Sequence, residues 1–223
     1  MQTHSTRISA CLVVVGLFIV CAPTSHAALY EFYNITHNDL GDAAIGEAQL
    51  TVDVTGLAGH QVQFEFHNAG PEASSITGVY FDDGDEPILS DLASIVGGPG
   101  VAFHEGGSVL PGGHSLSPQF VVTAGLQARS DPPVQPNGVN PGEWLRLSLD
   151  LQAGTDWGDV LERLNTADLR LGIHVQGFED EGSESFINKR PPVAPLPGAV
   201  VLAGLGLAIS GGALRRRKEL TAS

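Results

Sequence analysis

Leu50-Thr51-Val52-Asp53-Val54 and, a few residues on, Val62-Gln63-Phe64-Glu65-Phe66-His67 alternate apolar with polar side chains residue by residue. Successive side chains of a strand point to opposite faces, so a period of two gives each stretch one dry face and one wet face. Leu145, Leu147, Leu149 and Leu151 repeat the pattern against Arg146, Ser148 and Asp150, and Leu169, Leu171, Ile173 and Val175 repeat it against Arg170, His174 and Gln176. Between such stretches lie turn-forming clusters, among them Gly97-Gly98-Pro99-Gly100 and Pro111-Gly112-Gly113. Short alternating strands punctuated in this way predict a mainly β chain folded as an antiparallel β-sandwich or jelly roll. One segment departs from the alternation. In Thr155 to Asn165, Trp157, Val160, Leu161 and Leu164 recur at spacings of three and four, which predicts one amphipathic helix over about 155–165 with Thr155 as its cap. The Gly- and Pro-rich run from Ser130 to Gly142 reads as a surface loop.

The charge distribution narrows the choice of partners. From Leu29 to Arg190 six basic side chains face 24 acidic ones, a net charge of −18 in a chain whose total is −14. Such a surface repels nucleic acid and anionic lipid, whose binding rests on neutralising phosphates with Lys and Arg. No nucleic-acid partner is expected.

The two ends of the chain read differently from its middle. Arg7 precedes Ala10 to Ala22, a run without charge, and Ser25-His26-Ala27 supplies small residues where a signal peptidase reads. This is the layout of a secretory signal peptide over residues 1–27, with cleavage expected after Ala27 or, as second choice, after Ala28. Both cysteines, Cys11 and Cys21, fall in that segment. The mature chain therefore has no thiol, which excludes disulfides, cysteine nucleophiles and thiolate metal sites. Residues 28–190 are expected to be one extracytoplasmic β domain, of a size that can bury an adequate core without bridges.

After Arg190 the chain becomes Pro191-Pro192-Val193-Ala194-Pro195-Leu196-Pro197, an extended stalk by composition. Gly198 to Leu214 follows, 17 residues whose one polar side chain is Ser210, and then Arg215-Arg216-Arg217-Lys218. As a helix that run measures about 25 Å, near the short limit of a membrane span. The basic cluster is the stop that would hold its own end on the cytoplasmic side and leave the acidic domain outside. The order of these parts, with Val193-Ala194-Pro195-Leu196-Pro197-Gly198-Ala199 as signature, resembles the PEP-CTERM sorting signal and its V-P-L-P-A-like variants in Gram-negative bacteria. Leu196 stands where that family has glutamate and Gly198 where alanine is usual, and Glu219 to Ser223 trail the basic cluster. The resemblance implies export by the general machinery and transient anchoring in the inner membrane by a C-terminal transmembrane helix. It further implies processing around Pro195, Leu196, Pro197 and Gly198 by an exosortase-like membrane protease or transferase, and a destination at the cell surface or in an extracellular polysaccharide layer. The body also resembles uncharacterised carriers of such signals, through Ala43 to Leu50, Phe81-Asp82-Asp83-Gly84 and Gly172 to Phe178.

No catalytic motif stands out in the middle region. The six histidines after residue 28, His37, His60, His67, His104, His114 and His174, lack the spacing of a zinc site. The densest acidic constellation is Asp82-Asp83-Gly84-Asp85-Glu86, on a turn after the strand ending at Phe81. Carboxylates on a glycine turn offer hard oxygens to calcium, so Asp82, Asp83, Asp85 and Glu86 are the candidate calcium ligands. Glu179-Asp180-Glu181 with Glu184 is a second, weaker acidic cluster. The leading expectation is a non-enzymatic surface or exopolysaccharide-matrix protein without a cofactor. The alternatives are a calcium-assisted carbohydrate-binding module and a secreted glycoside hydrolase, the latter needing two carboxylates about 5 to 10 Å apart in a cleft.

Overall fold

A computed structural model describes residues 27–190. They form, in order, β1 (Ala27–Asn34), α1 (Leu40–Gln49), β2 (Leu50–Leu57), β3 (Gln61–Asn68), β4 (Ser75–Asp82), β5 (Leu89–Gly97), β6 (Phe103–Glu105), β7 (Gln127–Ser130), β8 (Trp144–Leu151), α2 (Trp157–Thr166), β9 (Arg170–Gln176) and β10 (Ser183–Asn188). The protein is mainly β. Every strand pairing is antiparallel, and the ten strands join in the order β5-β8-β3-β2-β1-β10-β9-β4-β7-β6. The two ends of that order, β5 and β6, pack beside each other, so the sheet comes close to closing on itself.

The alternation seen in the sequence sets the registers. Val52 lies opposite Phe66 and Val54 opposite Phe64, while Phe64 in turn faces Leu147. A one-residue slip would turn every one of these side chains to solvent, so burial of one face fixes the pairing. Leu50, Val52, Val54, Val62, Phe64, Phe66, Leu145, Leu147 and Leu149 are all fully buried. Each such side chain contributes roughly 1.5–3 kcal/mol of transfer free energy.

β1 divides its pairing between two neighbours. Ala27 to Glu31 bond to β2, whereas Phe32 to Asn34 bond to β10. The chain thereby passes from one half of the sheet to the other within a single strand, and the two halves turn their apolar faces toward one core. Phe64 of β3 meets Phe81 of β4 edge-on, with ring centroids 5.0 Å apart, although four strands lie between them in the sheet order. All eight residues of β4 are buried. Its inner face meets this core, and Tyr80 on its outer face joins Leu110, Phe120 and Ile187 in a second apolar cluster.

Among the described residues two α-helices are present where the periodicity predicts one. The second, α2, matches the amphipathic segment, with Val160 and Leu164 fully buried. Its cap is Asp156 rather than Thr155. The Asp156 carboxylate accepts from Gly158 N at 2.7 Å and Asp159 N at 3.3 Å, and Asp159 accepts from Asp156 N at 2.7 Å, a reciprocal capping box. The first helix, α1, has Gly41 and Gly46 within it, which weakens any helical signal. Gly46 is there for packing: a β-carbon at that position would sit 2.2 Å from Cζ of the buried Phe186 ring.

Among the described residues no helix is long and apolar enough to cross a membrane. The expected transmembrane segment, the residues around Pro195, Leu196, Pro197 and Gly198, and the basic cluster Arg215 to Lys218 lie outside the described residues. Ala27 and Ala28, the expected cleavage positions, open β1 opposite Thr55 and Val54.

Candidate functional site

The turn that the sequence singles out is built into the fold at the ends of β4 and β9. Asp82 lies opposite Arg170 in the strand register, and its carboxylate is shared among several donors. Oδ2 accepts from the Arg170 guanidinium and from Val121 N at 3.0 Å, and Oδ1 accepts from Gly84 N at 3.3 Å. Arg170 also donates to the carbonyls of Pro118 at 2.9 Å and Gln119 at 2.5 Å, and its guanidinium lies 5.3 Å from the centre of the Phe120 ring. The pair fastens the 118–121 segment to the end of the sheet.

Asp83 points the other way, into the core. It is completely buried, and Oδ2 accepts from the backbone N–H groups of Ile88 at 2.8 Å and Leu89 at 2.7 Å. Its Oδ1 has no hydrogen-bond partner among the described residues. Burial pushes this carboxyl from 3.8 up to about 6, against the two backbone donors and Arg163, which pull it down. Asp85 and Glu86 are exposed. The four predicted calcium ligands thus do not gather about a common point: Asp82 is held by a guanidinium and Asp83 is turned inward. Beside the turn lies an open cleft of about 800 Å³ between the 118–123 segment and α2. Two of its acids are already engaged, Asp159 in the cap of α2 and Asp168 as acceptor from Thr166 Oγ1 at 2.8 Å.

At the opposite end of β10 the fold gathers a different acidic group. Asp39, Asp42 and Asp180 each present a carboxylate oxygen within 4.8 Å of the others. Asp39 is the cap of α1, its Oδ1 accepting from Gly41 N at 2.6 Å and Asp42 N at 3.1 Å. Asp42 therefore sits in the first turn of that helix, 5% exposed. Asp180 belongs to the β9–β10 connection and accepts from Gly182 N at 3.0 Å through Oδ1. Gly182 allows the closest approach, because a β-carbon there would lie 2.1 Å from Asp42 Oδ2. Burial first, then the charges of Asp180 and Asp39, a carboxyl contact with Asp180 and the charge of Glu184 push Asp42 from 3.8 up to about 6. With the acids ionised, Asp42 Oδ2 has no donor among the described residues.

Behind this group stands Glu184, 1% exposed, which ties the surrounding segments together. It accepts from Asn34 Nδ2 at 2.8 Å, from Thr36 Oγ1 and from Asp39 N at 2.6 Å. The sequence marks Asp180 and Glu184 as a weak acidic cluster but leaves Asp39 and Asp42 unmarked. The signal that finds them is the capping spacing, an aspartate followed three residues later by a second aspartate at the start of a helix.

Two of the histidines are tied to neighbouring side chains. His104 Nδ1 faces Asp131, and Arg129 Nε donates to its Nε2 at 2.9 Å. His174 is half-buried beside Ser185 Oγ at 3.2 Å, and desolvation lowers its pKa. No family model, no curated protein and no solved structure matches this chain.

Proposed function

We propose that this chain is an exported, non-enzymatic surface or exopolysaccharide-matrix protein, a β-sandwich body held in the inner membrane by its C-terminal segment until an exosortase-like enzyme processes that segment. The sandwich description is supported by the two sheet halves that meet at Phe64 and Phe81 across one core. The observation that carries the reading is where the domain's ends lie. β1 and β10 are antiparallel neighbours, with Phe32 opposite Asn188, and Lys189 N donates to Glu31 O at 2.7 Å. The start of β1 and the end of β10 therefore leave from one pole. A leader junction at Ala27 and a stalk beginning at Pro191 would emerge side by side toward the same membrane.

The far pole then carries the acidic group. Asn34, at the other end of β1, bonds Glu184, and Asp39, Asp42 and Asp180 follow beyond it. Anchored by the stalk, the domain would turn this pole toward the outside. Its acidity suits that orientation, since like charge keeps it away from anionic lipid.

Intact mass of the protein recovered from its native host tests the reading. A chain starting at Ala28 and ending near Pro197 supports it. Recovery of the full chain, with its arginine tail, from the soluble cytosolic fraction overturns it.

A further inference from the structure

We infer that Asp39, Asp42 and Asp180 form a binding site for a calcium ion. Oxygens that ligate one calcium at 2.3–2.6 Å lie at most about 5 Å from each other. The three carboxylates meet that condition with the spacing of 4.8 Å or less already described. They come from two segments far apart in sequence, the start of α1 and the β9–β10 connection, so the fold and not local chain proximity brings them together.

Proximity of acids would be an ordinary surface feature were it not for the second observation. Asp42 is 95% buried, and its Oδ2, close beside Gly182, has no hydrogen-bond donor among the described residues. A buried carboxylate oxygen normally has a partner, because leaving it bare costs the full desolvation penalty. Here the neighbours on that side are two further carboxylates, and among the described residues none of the three is ion-paired with a Lys, Arg or His. Glu184, directly behind, adds negative charge and orients Asp39 through its backbone N–H. A divalent cation supplies what the arrangement lacks. Calcium suits it better than magnesium, which demands a tight octahedron and gives up its water reluctantly.

The remaining oxygens have defined tasks. Oδ1 of Asp39 holds the α1 cap and Oδ1 of Asp180 holds Gly182 N, so the carboxylates are oriented by their own backbone before an ion arrives. Bound calcium would tie the start of α1 to the β9–β10 hairpin. The site lies within the folded domain and stands or falls independently of the export reading.

Isothermal titration of the full chain with calcium chloride, paired with thermal unfolding, tests the inference. One saturable site is expected, with a dissociation constant in the range of about 10⁻⁴–10⁻³ M typical of extracellular modules, and a melting temperature raised by about 3–11 °C at 10 mM calcium. Equal magnesium should raise it less. Asp180→Asn, at an exposed residue whose Oδ1 can still accept from Gly182 N, should keep the fold by circular dichroism and weaken calcium at least tenfold. Asp42→Asn should do the same, while Asp85→Asn at the 82–86 turn should leave binding unchanged. Absence of both heat and thermal shift at 10 mM overturns the site, as does wild-type affinity in Asp180→Asn. Loss of binding in Asp85→Asn would assign the ion to the turn and equally overturn it.

Discussion

Asp82 and Arg170 face each other across the register of β4 and β9, and their side chains are only 7% and 12% exposed. A charge pair this well buried resists removal of one member more than replacement of both, because the survivor is left without compensation. Asp82→Ala and Arg170→Ala should therefore each lower unfolding free energy by about 3–5 kcal/mol. Arg170→Ala also frees the carbonyls of Pro118 and Gln119, so it should sit at the upper end. Urea denaturation of both single variants and the double variant checks this, with a double-variant cost well below the sum of the singles expected.

Asp83 gives the protein a pH dependence of defined sign. Its carboxyl is raised from 3.8 to about 6 in the fold, so the folded state binds the proton more tightly than the unfolded chain does. Its contribution to stability is fully present below about pH 4, is lost as pH rises toward 6, and stays lost above that. A shift of this size corresponds to roughly 3 kcal/mol. The groups that face it are Arg163, Asp82 and the N–H groups of Ile88 and Leu89. Asp83→Asn should gain on the wild type by up to that amount between pH 4 and 7 in urea titrations at stepped pH. A difference that does not vary with pH would show that burial does not govern this carboxyl.

Gly46→Ala sets two effects of opposite sign against each other. Alanine is the better helix former by about 1 kcal/mol, yet its β-carbon would meet the Phe186 ring at 2.2 Å. The ring is fully buried and cannot swing aside without disturbing the core. Overpacking of this kind typically costs about 1–3 kcal/mol, so the substitution should destabilise in spite of its propensity. Thermal unfolding decides it.

Asp156→Ala should cost about 1 kcal/mol by removing the cap of α2, whereas Thr155→Ala should change stability by less than about 0.5 kcal/mol. Thr155 Oγ1 donates only to the Gln152 carbonyl at 2.7 Å on the exposed surface. Denaturant midpoints of the two variants separate the roles.

Strands with one wet face were legible because burial on one side leaves its period in the chain. Leu50 to Val54, Val62 to Phe66, Leu145 to Leu151 and Leu171 to Val175 all turn their apolar members inward. α1 is not legible, since Gly46, which weakens its helical signal, serves a contact with Phe186 some 140 residues away in sequence. The acidic residues divide in the same manner. Asp82-Asp83-Gly84-Asp85-Glu86 looks like one cluster when written as a line, yet adjacent residues of a strand end point to opposite sides, so Asp82 meets Arg170 while Asp83 enters the core.

The sequence alone determined that the middle of the chain is an acidic, cysteine-free β domain with one face of each alternating strand buried, because composition and periodicity are properties of neighbouring residues. Tertiary structure decided that β1 serves both halves of the sheet, that the domain's two ends share a pole, and that Asp39, Asp42 and Asp180 converge at the other. Convergence depends on strand order and on the close approach permitted at Gly182, and neither leaves a mark in any window of sequence short enough to read.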